Sequence, residues 1–278
     1  MNAIEIRQVG KVYANFAMSG VDLELPKGTV LGVVGENGAG KSTLIKMIMG
    51  AVQPDSGEIK VLGSSAEDHA VKNKIGYVPD EPFIPDNFTA KEVNKVMAGI
   101  FDNWSEDEFN KWLQRFNLPI NSKCGSFSRG MKMKLSIATA LSHGAELLVL
   151  DEATGGLDPM VRDEILDVFN RFAEDENHTV LLSSHIVSDL EKICDYILFI
   201  HKGRVVFFRE KDSLCEQYAI VSLPIEELET LPEEAVLGVR KNAFGAQALV
   251  ERSKINPGFK TQKVSLEDII LFIVRGEE

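Results

Sequence analysis

Hydrophobic and polar residues alternate along the first 25 positions of the chain. The stretches AIEIRQV and VDLEL place an apolar side chain at nearly every second position, which is typical of strands with one buried face. The next run, TVLGVVG, is almost continuously apolar and predicts a strand buried on both faces. STLIKMIMG then has apolar residues at helical spacing, and Gly50 at its end predicts a glycine C-cap.

The pattern becomes helical from about residue 83 to residue 143. EIKVLG and KIGYVP, just before this segment, indicate two more strands, whereas TAKEVNKVMAGIF inside it is amphipathic. Ser105 and Glu108 have the spacing of a capping box at the start of another helix. The apolar face of that helix consists of Phe109, Trp112, Leu113 and Phe116. We therefore predict that residues 83–143 form a helical subdomain inserted into an α/β core.

Strands and helices alternate after residue 143. AELLVLD, TVLLSSH, YILFIHKG and RVVFF have strand patterns, and PMVRDEILDVFNRFAE and IVSDLEKICD have helical ones. Such alternation predicts a mostly parallel sheet, preceded here by an antiparallel β subdomain at the N-terminus. The rhythm breaks after about residue 212, where AIVSL, AVLGVRK and ALVERS predict short strands and SLEDIILFIVRG a closing helix. The expected organisation is an α/β unit over residues 1–212 and a small α+β extension over residues 213–278.

Composition narrows the classes of protein. The chain has 278 residues, enough for a full core, and its net charge of -12 argues against a nucleic-acid backbone as the main partner. Its apolar runs are far shorter than the ~20 residues that cross a bilayer. The first residues lack the basic-then-apolar pattern of a secretory signal. Cys124, Cys194 and Cys215 are scattered without a CxxC spacing, which favours reduced thiols in a cytosolic compartment.

One loop carries a phosphate-binding pattern. The motif G-x-x-x-x-G-K-[ST] is matched between the predicted buried strand and the predicted helix, as a P-loop NTPase core requires. The candidate binding residues of this loop are Gly35, Glu36, Asn37, Gly38, Ala39, Gly40, Lys41, Ser42 and Thr43. Its glycines let backbone N–H groups turn towards an oxyanion, and the helix N-terminus adds positive potential. Lys41 can reach the β- and γ-phosphates, and the Ser42 hydroxyl can bind Mg²⁺.

A pair of acids about 110 residues later suggests the second half of the site. LLVLDE delivers Asp151 and Glu152 to the carboxyl end of a buried strand. Asp151 is placed to bind Mg²⁺, and Glu152 to polarise a water molecule for attack on the γ-phosphate. The sequence has no NKxD motif of the kind that reads guanine in GTPases.

The order of the motifs resembles a known family. The phosphate loop, YVPDE, FSRGM, LLVLDE, GGLD and SSH follow one another as in the nucleotide-binding subunit of an ABC (ATP-binding cassette) transporter. The resemblance covers residues 1 to about 212. It implies ATP and Mg²⁺ as ligands, a second cassette as partner, and a permease formed by another polypeptide. It also implies a cytoplasmic location at the inner face of the cell membrane, and nucleic acid is not an expected partner.

The resemblance assigns a role to FSRGM, where the family has the signature LSGGQ. Ser128 and Gly130 match the serine and second glycine that bind the γ-phosphate held by the opposite cassette. A serine hydroxyl, an unhindered backbone N–H and a helix N-terminus make an anion receptor. The chain already has a complete phosphate loop, so a second phosphate receptor would be redundant unless it binds a nucleotide held by another chain. Arg129 and Met131 depart from the family pattern.

The resemblance carries further residues with it. His185 matches the switch histidine, expected to hydrogen-bond the γ-phosphate and to orient the attacking water and Glu152. Asp158 matches the loop that crosses to the partner cassette, in which Gly155 replaces a residue that is usually serine. Tyr13 stands where an aromatic ring stacks on adenine. Asp80 stands where the family has a glutamine that binds Mg²⁺, and a carboxylate can also be a Mg²⁺ ligand.

Two other functions remain open at this stage. One is a soluble ABC ATPase acting on a ribosomal or other non-membrane partner, but such proteins tend to have two cassettes or a long coiled coil. The other is a degenerate cassette that binds ATP for a structural or regulatory purpose. The presence of all four expected catalytic and metal-binding residues argues against it: Lys41, Asp151, Glu152 and His185. The FSRG-type signature and the short extension favour an exporter. Lys132 and Lys134 are expected on a solvated face.

Overall fold

The computed structural model describes residues 1–243 and 245–276. Its strands, in chain order, are β1 (Asn2–Tyr13), β2 (Phe16–Pro26), β3 (Val30–Val34), β4 (Ser56–Val61), β5 (Ser64–Ser65), β6 (Ile75–Val78), β7 (Leu147–Asp151), β8 (Thr179–Ser183), β9 (Tyr196–His201), β10 (Arg204–Glu210), β11 (Tyr218–Leu223), β12 (Val236–Asn242), β13 (Gly245–Glu251) and β14 (Thr261–Gln262). Its α-helices are α1 (Lys41–Ile48), α2 (His69–Lys72), α3 (Ala90–Met97), α4 (Glu106–Arg115), α5 (Arg129–Leu141), α6 (Pro159–Ala173), α7 (Val187–Ile193), α8 (Lys211–Gln217) and α9 (Leu266–Gly276).

The central sheet has the strand order β10-β9-β3-β8-β7-β6. All neighbouring pairs in it are parallel except β9 and β10, which confirms the prediction of a mostly parallel sheet. Every residue of β3, β7 and β8 is buried, as continuous apolar runs predict. Ser183 on β8 pairs with Val33 on one side and Asp151 on the other. The carboxyl ends of β3, β7 and β8 therefore lie side by side.

The N-terminal subdomain is a second, antiparallel sheet in the order β2-β1-β4-β5. Ile6 of β1 pairs with Leu23 and Ile59, so apolar residues of three strands meet on one face. That face packs with helix α1 and the central sheet in one apolar cluster. The alternation along the first 25 residues therefore predicts the observed sheet correctly. Helix α1 ends as expected, since Gly50 adopts a positive φ of 61°.

The segment 83–143 contains the helices α3, α4 and α5, as predicted. The capping box expected at α4 forms only in part. Ser105 accepts a hydrogen bond from the Glu108 backbone, but the Glu108 carboxylate pairs with Lys111, and the Ser105 N–H donates to the Ser142 carbonyl. A complete capping box is found instead at α3, between Thr89 and Glu92.

Helix α5 connects the helical segment to the central sheet. It packs on β6, where Gly76 allows a close approach: a Cβ at this position would lie 2.5 Å from the Ala140 carbonyl oxygen. The lysines of α5 are paired with carboxylates, Lys132 with Asp86 and Lys134 with Glu164, each at 2.7 Å. Lys134 is only 13% exposed, so its expected place on a solvated face is wrong.

The extension is an antiparallel sheet in the order β12-β13-β11-β14, together with α9. Ile269 and Phe272 of α9 are buried in the same apolar cluster as Leu190 of α7. The Leu266 N–H donates to the Glu191 carboxylate at 2.7 Å, which adds a polar tie between the two helices. The predicted α+β composition is confirmed, while the boundary at residue 212 stays a prediction, and the last residues of 213–278 fall outside the described part.

Across the described residues, every helix is too short or too polar to cross a bilayer.

The thiols of Cys124 and Cys194 are buried and that of Cys215 is half-buried, and burial raises the pKa of all three. They are therefore poor nucleophiles, and a reduced cytosolic compartment stays a prediction.

Candidate active site

The phosphate loop leaves the carboxyl end of β3 and leads directly into α1. Gly40, the N-cap of α1, has a φ of +115°, a conformation that a residue with a side chain rarely adopts. A Cβ there would also lie 2.7 Å from the Phe16 ring. The glycine thus permits both the turn and the contact with the N-terminal sheet. The N-terminal N–H groups of α1 point towards an anion in this geometry.

Lys41 lies inside the loop rather than on its surface. Its side chain is 6% exposed, and its ammonium group donates to the Gly35 carbonyl at 2.7 Å and to the Glu36 carbonyl at 3.3 Å. Nζ also lies 3.5 Å from Oε1 of Glu152. A buried ammonium needs such acceptors. The lysine is therefore held where it can interact with a phosphate in the loop.

Asp151 is held at the end of β7 by two hydroxyl groups. Ser183 donates to its Oδ1 at 2.6 Å, and the Ser42 hydroxyl lies 3.4 Å from the same oxygen. These are hard oxygen donors, the ligands that Mg²⁺ prefers. Among the described residues no cluster of three or more His, Cys, Asp or Glu side chains could hold a metal alone. Ser42 and Asp151 therefore fit a Mg²⁺ ion that also binds phosphate oxygens.

Glu152 has an unusual backbone conformation, with a φ of 53°. A left-handed φ is uncommon for a residue with a side chain and often marks a functional position. Its N–H is fixed by both the hydroxyl and the carbonyl of Ser183, each at 3.1 Å. Its Oε2 lies 2.6 Å from Nδ1 of His185 and accepts the His185 N–H at 3.2 Å. The carboxylate is thus aimed at Lys41 on one side and His185 on the other.

The hydrogen bond between His185 and Glu152 determines the imidazole tautomer. A carboxylate accepts, so Nδ1 must carry the proton in this contact. His185 therefore contacts Glu152 directly, and its role in orienting that carboxylate stays a prediction. Its predicted hydrogen bond to a γ-phosphate would have to come from Nε2 and stays a prediction.

Apart from Asp151 and Ser183, which lie outside the lining, these residues surround one cavity of about 1340 Å³. It is lined by Tyr13, Ala14, Asn15, Phe16, Gly35, Glu36, Asn37, Gly38, Gly40, Lys41, Ser42, Thr43, Asp80, Arg129, Glu152, Gly155, Gly156 and His185. Tyr13 stands at its rim with Phe16, ring centroids 6.4 Å apart. Sequence reasoning missed Phe16, although an aromatic residue three positions after Tyr13 was available as a signal. It also missed Ser183, which supports both acids.

Ser128, Gly130 and Asp158 are candidate residues outside this lining. The Ser128 hydroxyl caps α5 by accepting from the Met131 N–H at 3.2 Å, and Asp158 caps α6 by accepting from Val161 at 3.1 Å. Ala39 is also absent from the lining, and its N–H donates to the Glu36 carbonyl. Roles for Ser128, Gly130 and Asp158 at a partner's nucleotide stay predictions.

Asp80 and Arg129 meet at the edge of the cavity. An Arg129 Nη2–H donates to Oδ1 of Asp80 at 3.1 Å, and both side chains are about half exposed. Burial raises the pKa of the nearby Tyr77 phenol, and the charges of Asp151 and Asp80 raise it further. Both carboxylates therefore act on the same region. Asp80 as a Mg²⁺ ligand stays a prediction, since its hydrogen-bond partner in the structure is Arg129.

Known proteins are similar to this chain in sequence and in fold. The sequence profile of the family described as ABC transporter matches residues 18–155. The bacitracin transport ATP-binding protein BcrA of Bacillus licheniformis is 35% identical over 67% of this chain and 62% of its own length. The chain thus spans less than two thirds of that relative. The lantibiotic transport ATP-binding protein SrtF of Streptococcus pyogenes is 34% identical over 75% of this chain and 91% of its own length.

A solved structure titled an ATP binding subunit of ABC transporter matches with a TM-score of 0.69 at 28% identity. The match covers 77% of this chain and 92% of that one. The fold described above is thus the fold of that subunit.

Proposed function

This chain belongs to the ABC transporter family as an ATP-binding, ATP-hydrolysing subunit, and from that premise we propose that it drives transport through a separate membrane permease. The observation that carries the proposal is the meeting of Lys41, Asp151, Glu152 and His185 at one edge of the central sheet. A cassette kept only for binding would not need Glu152 fixed by two elements at once.

The roles of the four residues follow from their contacts. Lys41 binds and neutralises the β- and γ-phosphates of ATP. Glu152 takes a proton from the attacking water, and His185 keeps its carboxylate aimed at that water. Ser42 and Asp151 would hold Mg²⁺, which would supply charge stabilisation for the transferring phosphoryl group.

The reaction centre is completed by a second cassette in this proposal. Ser128 and Gly130 stand at the N-terminus of α5 outside the cavity of their own chain, a position that suits an anion held by another copy. Two cassettes would then close head-to-tail around two ATP molecules. Loss of the γ-phosphate contact after hydrolysis would let them separate. This closing and opening would be transmitted to the membrane helices of the permease.

A surface for the permease is available beside the helical segment. An apolar cleft of about 360 Å³ lies between the central sheet and helices α3 and α5, lined in part by Met97, Ile100 and Phe101. Ile100, one of these lining residues, is 59% exposed. Large exposed apolar residues beside a cleft are typical of protein contacts. The cleft would take an apolar segment from the cytoplasmic side of the permease.

The direction proposed for transport is outward. The FSRG-type signature and the short extension resemble exporter cassettes, and two relatives are named for bacitracin and lantibiotic transport. We therefore propose a compound of this kind as cargo. Its identity would be set by the permease rather than by the present chain.

The function is tested first by ATP hydrolysis with Glu152→Gln. Removal of the general base should lower the rate by about 10²- to 10⁴-fold while ATP binding is retained. Glu164→Gln, which alters the ion pair with Lys134 outside the cavity lining, is the matched control and should hydrolyse normally. Equal rates for Glu152→Gln and the unchanged chain would disprove the catalytic assignment.

The permease is tested by fractionation of the cells that express the chain. The chain should be recovered with membranes, and Ile100→Glu should reduce the membrane-bound fraction without affecting ATP binding. Val12→Glu, at an exposed apolar position of the N-terminal sheet, is the control for added charge. Sedimentation of the chain with ribosomes, unaffected by Ile100→Glu, would favour a non-membrane partner instead.

A further inference from the structure

Arg129 occupies a position that does not favour a cation. It is the first residue of helix α5, directly after the N-cap Ser128, and the first turn of α5 has no acidic residue. The positive end of the helix macrodipole repels a cation there. Stability of the helix therefore gives no reason for an arginine at this position, and its contacts have to provide one.

The contacts of Arg129 involve Asp80, which also departs from the family pattern, and Gly156 of the GGLD loop. Its guanidinium donates to Asp80 at 3.1 Å, with 52% of the Arg129 side chain and 54% of the Asp80 side chain exposed. It also covers Gly156 of the GGLD loop, where a Cβ would lie 3.1 Å from both Cζ and Nη1 of Arg129. Gly156 has a φ of +67°, so neither the space nor the backbone suits a larger residue. Asp80, Arg129 and the glycine loop thus form one unit.

We propose that the Asp80–Arg129 ion pair is an autoinhibitory contact, broken when two copies of the chain close around ATP. In the single chain Asp80 retains the Arg129 guanidinium. On closure, Arg129 leaves Asp80 and binds the triphosphate held by the other copy, beside the receptor formed by Ser128 and Gly130. This inference rests on the proposed function, because it requires the paired arrangement.

The difference in charge between the two partners favours the transfer of Arg129 from Asp80 to the triphosphate. Arginine binds phosphate through two parallel hydrogen bonds, and a triphosphate carries more negative charge than the single carboxylate of Asp80. Half-exposed ion pairs are weak, so this pair can be exchanged without disturbing the fold. The chain has a net charge of -12, and closure brings two such chains together around anionic ligands. A guanidinium supplied to each triphosphate offsets part of that repulsion.

A double-mutant cycle tests the exchange. Each variant is made in the Glu152→Gln background, which slows hydrolysis, at saturating Mg²⁺. Sedimentation then gives the ATP concentration at which half of the chain is dimeric. Arg129→Gly should raise this concentration about tenfold, because a charge-assisted contact to phosphate is lost. Asp80→Asn should lower it about threefold, because the competing partner of Arg129 is removed.

The coupling between the two sites is the decisive result. Asp80→Asn should lower the half-dimer concentration about threefold more when Arg129 is present than in the Arg129→Gly background. Any effect of Asp80 on a metal appears in both backgrounds and cancels in this comparison. Arg129→Gln, which keeps a long polar side chain, should behave like Arg129→Gly if charge is what matters. Lys132→Ala and Asp86→Asn, which break the neighbouring ion pair of α5, serve as controls.

The outcomes separate this inference from the function on which it rests. If the two single variants shift the half-dimer concentration in the same direction, or if their effects add, Asp80 does not compete with phosphate for Arg129 and the inference is wrong. If ATP-driven dimers form equally well in all variants, the inference also fails while the proposed function stands. If no variant forms dimers with ATP, the paired mechanism itself fails and the inference falls with it.

Discussion

The Lys41 ammonium lies 3.5 Å from a carboxylate oxygen of Glu152. Lys41 begins helix α1 after the loop that follows β3, and Glu152 comes directly after β7. Both side chains are largely shielded from solvent. The group that binds phosphate and the group that activates water are therefore partners of each other in the single chain. A bound triphosphate would attract the lysine and leave the Glu152 carboxylate to His185 and water. ATP binding by Lys41 is thereby coupled to the activation of water by Glu152, because the two side chains are partners before ATP binds.

Loss of the lysine should weaken ATP binding. Lys41→Ala removes the buried ammonium and leaves the Gly35 and Glu36 carbonyls without its hydrogen bonds. The affinity for ATP should fall by about 1.5–3 kcal/mol, roughly ten- to a hundredfold, the range for hydrogen bonds to charged groups. Equilibrium titration with a fluorescent ATP analogue measures this change. Lys46→Ala, an exposed lysine on the same helix, should bind normally, and equal affinities for both variants would contradict the assignment.

Replacement of Asp80 by the family residue should change the metal dependence of hydrolysis. Asp80→Gln removes a negative charge from the edge of the cavity while keeping an oxygen that can bind a metal. Hydrolysis should continue, with a different Mg²⁺ concentration at half-maximal rate and a different ratio of rates with Mg²⁺ and Mn²⁺. A steady-state ATPase assay over a metal titration gives both values. Unchanged rate and metal dependence would show that Asp80 does not act on the metal.

The ion pair between α6 and α7 should be a major contributor to stability. Arg162 donates from Nε to Asp189 at 2.6 Å, and the Asp189 side chain is only 2% exposed. Arg162→Met should lower the free energy of unfolding by about 3 kcal/mol, because it leaves a buried carboxylate unpaired. Urea unfolding measures the loss. Arg162→Met combined with Asp189→Leu should recover most of it, since no charge is then left buried.

A surface ion pair of the same helices provides the control for that experiment. Lys192 pairs with Asp163, and both side chains are substantially exposed. Lys192→Met should therefore change the free energy of unfolding very little. A loss equal to that of Arg162→Met would mean that burial of Asp189 is not the cause.

His143 should make the fold less stable below neutral pH. The ring is buried, stacks on Phe101 with centroids 4.1 Å apart, and its Nδ1 lies 3.2 Å from the Asn73 carbonyl oxygen. Burial lowers the pKa of His143 from its ordinary value of 6.5. The unfolded chain then takes up a proton near pH 6.5 while the folded chain resists it. The free energy of unfolding should fall as the pH drops below about 6.5, by at most about 1.4 kcal/mol per pH unit for this one group.

The histidine contribution can be isolated by substitution. His143→Phe keeps the stacking on Phe101 and removes the titrating group, so the free energy of unfolding should depend less steeply on pH between 6.5 and 5. Glu146 does not interfere, because Lys74 and Lys27 lower the pKa of its carboxyl from 4.5, below this window. His69→Phe, at an exposed position, controls for the general effect of losing a histidine. An equal slope for His143→Phe and the unchanged chain would contradict the assignment.

The order of the elements and the centre of the site could be predicted from sequence because each depends on local patterns. Continuous apolar runs place β3, β7 and β8 inside the sheet, and parallel pairing then brings Lys41, Asp151 and His185 to one edge. Helix α8 was not predicted. It is short and has a single buried residue, Leu214, so its sequence has no helical periodicity to recognise.

Contacts between distant side chains could not be predicted in the same way. Asp80 and Arg129 are 49 positions apart, one just after β6 and the other at the start of α5, and their relative position depends on the packing of α5 against β6. The choice of Glu108 between the Ser105 N–H and Lys111 is likewise a competition between neighbours that the spacing alone does not decide. The sequence shows that Asp80 and Arg129 depart from the family pattern and that Ser105 and Glu108 have capping-box spacing, but tertiary structure determines their partners.

The tail of the protein has a consequence for any attempt to work with the cassette alone. Helix α7, which follows directly after His185, rests on the sheet with one side and on α9 with the other, and Glu191 caps the start of α9. A polypeptide ending at residue 212 would lack α9 and would expose the apolar side chains of α7 that contact it, directly after His185. Shortened versions should therefore precipitate or lose the alignment of His185, and the last sixty-odd residues have to be kept in any preparation meant to turn over ATP.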